Sequence, residues 1–176
     1  MECDEHRPRI PVQYIWDHEG CFGALIHKLK NVENFVFRLI CDKGTFNAGT
    51  AARQAMRLKD AMRAGAEVRL SSPPGARFAC MHVKTLVFDR KVTLAGSVNM
   101  SHNGLENSKE HLFRITVPET VEATIADFEE HWTTCQPLTM EAVEQVMGNN
   151  HQRREKRAQR SQDGPRSSPS RSQPRE

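Results

Sequence analysis

The first regular pattern along the chain is an apolar run, "IPVQYIW" at residues 10–16, whose composition predicts a β-strand. "GCFGALIHKLKN" follows at 20–31, with Phe22, Leu25, Ile26 and Leu29 at the spacing of one helical face. "NFVFRLICD" at 34–42 is rich in β-branched and aromatic residues and almost unbroken in apolar character, which predicts a strand covered on both faces. "KGTFNAGT" at 43–50 then reads as a turn. Its Thr50 is a candidate N-cap for "AARQAMRLKDAMRAG", where Ala51, Ala55, Met56, Leu58 and Met62 form an amphipathic face that Gly65 ends. "AEVRLS" at 66–71 predicts a third strand, and the two prolines and glycine of "SPPGARFA" at 72–79 predict a loop.

The second half changes period. "HVKTLVFD" at 82–89 and "VTLAGSVN" at 92–99 read as two strands joined by a tight turn at Asp89-Arg90-Lys91. "SHNGLENSK" at 101–109 predicts a loop, "HLFRITV" at 111–117 a strand, and "PETVEATIADFEEHW" at 118–132 a helix opened by Pro118. The order β-α-β-α-β-β-β-β-α predicts an α/β sandwich with a mixed β-sheet flanked by helices. "TMEAVEQVMGNNHQRREKRAQR" at 139–160 continues as a helix with a break expected near Gly148, and 161–176 holds no large apolar residue, which predicts disorder. The expected organisation is an N-terminal extension at 1–9, one domain at 10–135, a helical extension at 136–160 and a disordered basic tail at 161–176.

Composition narrows this picture. At 176 residues the chain has room for one domain with a sizeable core. The formal charge of +3 is unevenly held: residues 1–150 carry 17 Lys and Arg against 19 Asp and Glu, and residues 151–176 carry 8 against 3. The domain is therefore slightly acidic and the tail basic, so any attraction for nucleic acid or an anionic surface is expected from the tail. Five cysteines (Cys3, Cys21, Cys41, Cys80, Cys135) are odd in number and lack a Cys-x-x-Cys pair, which points away from a disulfide framework and toward a reducing compartment. The start "MECDEHRPRI" is charged where a signal peptide would be apolar, and no apolar run is long enough to span a bilayer. An intracellular, cytoplasmic protein is expected.

The chemistry gathers in "MHVKTLVFDRKVTLAGSVNMS" at 81–101. Alternation along a strand puts His82 and Lys84 on one face, and Ser97 and Asn99 on one face of the returning strand, with Val83, Val87, Leu94 and Val98 as apolar support. Lysine supplies a compact positive charge, and serine and asparagine supply oriented donors, which together suit a phosphate. Histidine can attack phosphorus when neutral and donate a proton when charged. Gly96, without a side chain, allows another backbone or a ligand oxygen to come close.

His82-x-Lys84, four residues, Asp89, six residues, then Gly96-Ser97-x-Asn99 resembles the HKD signature of the phospholipase D superfamily at every spacing. The lead-in from residue 10 and the close near 134 resemble one full superfamily domain. Single-motif members, the small bacterial endonuclease-type and mitochondrial phospholipase-D-like phosphodiesterases, work as homodimers. The resemblance therefore implies a phospholipase D-like fold and hydrolysis through a covalent phosphohistidine on His82. A second His82, across a two-fold axis, protonates the leaving oxygen. Lys84 and Asn99 of both copies hold the phosphoryl oxygens, and Ser97 assists the phosphate or the histidine. Glu110 is implied as the acid that orients the histidine, with Glu106 as its rival. Asp89 and Gly96 take structural roles, and the chemistry needs neither metal nor cofactor.

The single motif, short chain and basic tail favour single-stranded nucleic acid as substrate. A phospholipid, hydrolysed in the manner of phospholipase D or a cardiolipin hydrolase, is the alternative, with "PPGARFACM" as a modest apolar entrance. An inactive binding module is a third reading. Zinc on Cys80, His82, His102 and His111 fits no common ligand spacing, and His18, His27 and His131 read as surface or partly buried helix histidines.

Overall fold

The computed structural model describes residues 18–47, 52–72 and 80–162. The strand expected at 10–16, the Thr50 cap, most of the 72–79 loop with the apolar entrance, and the tail beyond Gln162 lie outside the described residues. In chain order the elements are α1 (Glu19–Asn31), β1 (Arg38–Asp42), α2 (Lys43–Asn47), α3 (Ala52–Arg63), β2 (Glu67–Ser71), β3 (Thr85–Phe88) and β4 (Val92–Gly96). A single π turn at Asn103–Asn107 precedes β5 (Leu112–Ile115), α4 (Pro118–Thr134), β6 (Gln136–Pro137) and α5 (Met140–Gln162).

Every residue of β1 is buried, as its continuous apolar character requires. Its alternate side chains enter different clusters. Leu39 and Cys41 join Phe22, Leu25, Ala55 and Leu58 beneath α1 and α3, while Ile40 joins Met81, Phe128 and Trp132 beneath α4. Helices thus cover both faces, which is the α/β sandwich expected. β1 pairs in parallel with β2, Leu39 opposite Val68, and β2 pairs antiparallel with the short β6. The described strands make a second, wholly antiparallel sheet in the order β3-β4-β5. Val87 of β3 packs against Val121 and Ile125 of α4, and Leu86 packs into the main core.

Arg38 is a charged residue in this interior. It stays ionised among apolar neighbours because both guanidinium nitrogens meet Glu129, at 2.7 and 3.0 Å, and its plane lies over Phe128 and Trp132. Arg69 covers Trp132 as well and donates to its carbonyl at 2.7 Å.

Three expectations need correction. The turn predicted at 43–50 begins as a short helix: the Asp42 carboxylate accepts from Thr45 N at 2.7 Å, and Phe46 buries its ring in the core. The loop predicted at 101–109 contains the π turn, closed by Ser108 N to Asn103 O at 2.7 Å. α5 runs through Gly148 without the expected break and includes Ser161 and Gln162, the first two residues assigned to the tail. Glycine lowers helix propensity but blocks nothing, and Val143, buried against the core, anchors the first half of α5. Gly148→Ala, whose Cβ would meet nothing within 4 Å, is expected to stabilise the fold by about 0.5–1 kcal/mol in urea unfolding.

Candidate active site

The chain reaches the His82 region through a buried carboxylate. Asp42, at the end of β1, uses one oxygen to cap α2 and the other to accept from Met81 N at 3.0 Å. A single side chain thereby holds the residue before His82 against the end of β1. Asp42 went unremarked in the sequence, where its one visible signal was an aspartate followed by Lys-Gly-Thr, a capping pattern.

His82 is exposed and Lys84 is buried, so the pair that alternation sets on one face differs in its access to solvent. The regular ladder begins only at Thr85, and Lys84 curls back so that its Nζ donates to the His82 carbonyl at 2.9 Å. Burial strips water from the ammonium and pushes the Lys84 pKa down, while Cys80 and Glu110 pull it the other way. A phosphate arriving here would favour the charged form as Glu110 does. Val83, expected to pack, is 44% exposed.

The returning strand behaves as alternation predicts. Beyond the end of β4, Ser97 is exposed and Asn99 half-buried, while Val98 and Met100 point into the core. Ser97 donates its hydroxyl hydrogen to Glu110 and accepts from His111 N at 3.2 Å. The Asn99 side-chain oxygen is shielded and has no hydrogen-bond partner among the described residues, a costly state for a polar atom unless another group completes it. Asp89 lies in the turn, where it and Arg90 take φ of 50° and 55° and Lys91 N closes on Phe88 O at 2.9 Å.

The backbone that approaches Gly96 is that of His111 and Leu112, on the neighbouring strand, and any Cβ would overlap the His111 carbonyl oxygen. Gly104 meets the backbone of Asn99 in the same way, and its role was not anticipated. Gly96→Ala is expected to push β5 off β4 and to part Ser97 from Glu110. The cost is about 2–4 kcal/mol in chemical denaturation, with most hydrolytic activity lost in the fraction that stays folded.

Glu110 and Glu106 separate cleanly. Glu110 faces Ser97 and Lys84, whereas Glu106 accepts from His18 Nε2 at 2.8 Å and lies 3.3 Å from His102 Nδ1. The His18 hydrogen bond is the main reason the Glu106 carboxyl is held below the usual range. His18 is the N-cap of α1, its Nδ1 accepting from Cys21 N at 3.3 Å, and His131 meets Ser71 Oγ at 2.9 Å.

The model of the family described as "Cardiolipin synthase, PLD-like domain" matches residues 5–132. Among solved structures, the chain is similar to the phospholipase D family member Nuc of Salmonella typhimurium, with a TM-score of 0.63 at 16% identity over 76% of this chain and 82% of that one. NucT from Helicobacter pylori superposes with a TM-score of 0.62 at 19% identity, over 75% and 82% of the two chains. No curated protein sequence matches.

Proposed function

This chain belongs to the phospholipase D-like family, and from that premise we propose a metal-independent phosphodiester hydrolase that acts as a homodimer through a phosphohistidine on His82, most readily on single-stranded nucleic acid. The observation that carries this reading is the grouping around Ser97. Lys84, a buried cation, and Glu110 converge there, with the amide group of Asn99, a donor through its nitrogen, close by in the chain. In this mechanism the neutral His82 Nε2 attacks phosphorus, and the partner's imidazolium protonates the departing oxygen. Water then cleaves the P–N bond, with the second histidine as base. Lys84 and Asn99 hold the phosphoryl oxygens as charge builds. Glu110 fixes Ser97 and, with it, the strand end that presents Asn99.

Two features support a second copy. One motif supplies one histidine, and the reaction needs two. β5, the strand that touches Gly96, is a sheet edge among the described residues, with Phe113 63% exposed and Leu112 41% exposed, a pattern that favours burial against another chain. Residues 10–135 form the catalytic domain in this reading. The basic end of α5 and the residues after it would draw in a polyanion.

The second reading is a phospholipid substrate, favoured by the apolar side chains of Val83, Leu105 and Leu112, which stand exposed near the motif. No helix among the described residues is long and apolar enough to cross a membrane. The substrates are told apart by assaying a single-stranded oligonucleotide and cardiolipin or phosphatidylcholine liposomes side by side in excess EDTA. Oligonucleotide cleavage with intact lipid is expected. Head-group release with intact oligonucleotide would move the assignment to the lipid, and turnover abolished by EDTA would exclude the metal-free mechanism.

A further inference from the structure

We propose that His18, His102 and Glu106 bind a divalent transition-metal ion of the zinc class, which staples the start of α1 to the turn that follows Asn99. This cluster shares no residue with the group around His82 and is independent of the catalytic reading. One ligand atom from each residue lies within 4.8 Å of the other two. Around a tetrahedral ion with bonds of about 2.0–2.1 Å, neighbouring ligand atoms sit about 3.3–3.4 Å apart. The His102 Nδ1 to Glu106 Oε1 separation is already 3.3 Å, the 2.8 Å His18–Glu106 contact has to open slightly, and the two imidazole nitrogens, within 4.8 Å of each other, have to settle to the same spacing around the ion.

The two ligand-bearing segments are held in place by the backbone. His18 N donates to Met100 O at 2.9 Å, which ties α1 to the chain just past Asn99. His102 and Glu106 are four residues apart across the π turn, which Ser101 Oγ caps through Gly104 N at 3.1 Å. The imidazole rings of His18 and His102 lie nearly parallel, with centroids 6.5 Å apart and the carboxylate serving both. Two imidazoles and one carboxylate suit zinc, cobalt, nickel or copper rather than magnesium or calcium, and three protein ligands leave the fourth position to water.

Protons must balance. His18 Nδ1 accepts from Cys21 N, so the ring proton resides on Nε2 and is donated to Glu106. Coordination through Nε2 transfers that proton to Nδ1, and the Cys21 N–H then turns to water. The bond surrendered is a long one, at 3.3 Å. Glu106 and His102 are each half open to solvent, so the ion can reach the site from water.

Titration of the metal-stripped protein with Co²⁺, followed through the visible absorption of the bound ion and by displacement with Zn²⁺, tests the site. One ion per chain is expected. Affinity should fall at least tenfold in His102→Ala and in Glu106→Gln and stay unchanged in His27→Ala. Zn²⁺ should raise the melting temperature of the unaltered protein but not of His102→Ala, and the two should melt alike in EDTA because His102 is exposed. Equal Co²⁺ affinity in His102→Ala, Glu106→Gln and the unaltered protein would overturn the proposal, as would a Zn²⁺ stabilisation that survives both substitutions.

Discussion

His82→Ala is expected to lower phosphodiester hydrolysis by at least about 10⁴-fold while leaving the fold intact. The effect is large because one substitution in a homodimer removes two groups, the nucleophile of one chain and the proton donor of the other. The fold is spared because His82 is exposed and precedes the regular part of β3. A surface truncation of this kind changes stability by less than about 0.5 kcal/mol. Thermal melting and turnover of bis(p-nitrophenyl) phosphate separate the two effects. A labelled covalent adduct, trapped by acid-free quenching of the unaltered enzyme, should vanish in the variant. The unaltered pH–rate profile should be bell-shaped, since one His82 must be neutral and its counterpart charged. Residual activity above roughly 1% in His82→Ala would rule out a nucleophile at that position, given the size of loss such a group commands.

The second large effect concerns assembly. Unaltered chains unfolded and refolded with an equal amount of His82→Ala should give about a quarter of the activity of the same total amount of unaltered chain, because only dimers with two intact histidines work. Independent monomers would give about half, and chains that supply complementary pieces would give more. Phe113→Asp provides a separate lever. Its side chain is exposed on β5, and a carboxylate there should convert the dimer to monomer and reduce activity with it, as light scattering and hydrolysis would record together. A Phe113→Asp protein that stays dimeric and active would move the interface elsewhere; one that is monomeric and fully active would remove the need for a second histidine.

The elements visible in the sequence were those whose residues answer to local physics. β1 announced itself by unbroken apolar character, α3 by its periodic face and the stop at Gly65, where φ is 105°, and α4 by Pro118 at its first turn. The 89–91 turn was legible too, between two alternating runs, although no glycine marks it. Where the reading failed, contacts that carry no periodic signal decided the outcome. α2 exists because Asp42 caps it and Phe46 finds a place in the core, and the π turn exists because Gly104 must lie on the Asn99 backbone. The cap and the close approach are both local in sequence, but neither leaves a mark in hydrophobic periodicity, and the place for Phe46 is made by residues far along the chain.

The same division runs through the candidate site. The spacing of His82, Lys84, Asp89, Gly96, Ser97 and Asn99 is a property of the chain, and it was enough to assign the family and the phosphate chemistry that family membership implies. Alternation alone put Ser97 and Asn99 on one side. It left open how deeply Lys84 is buried, where a lysine in an apolar setting must satisfy its ammonium on a nearby acceptor, and here that is the carbonyl of His82. Sequence also left Glu106 and Glu110 as rivals, four residues apart. Only the folded chain separates them, since β5 pairs with β4 and carries Glu110 to Ser97, while the π turn directs Glu106 toward His18 at the far end of the chain. Residue identity and spacing determine which chemistry the protein can perform; which polar groups meet is decided by strand register and helix packing, which join residues 13 and 88 positions apart.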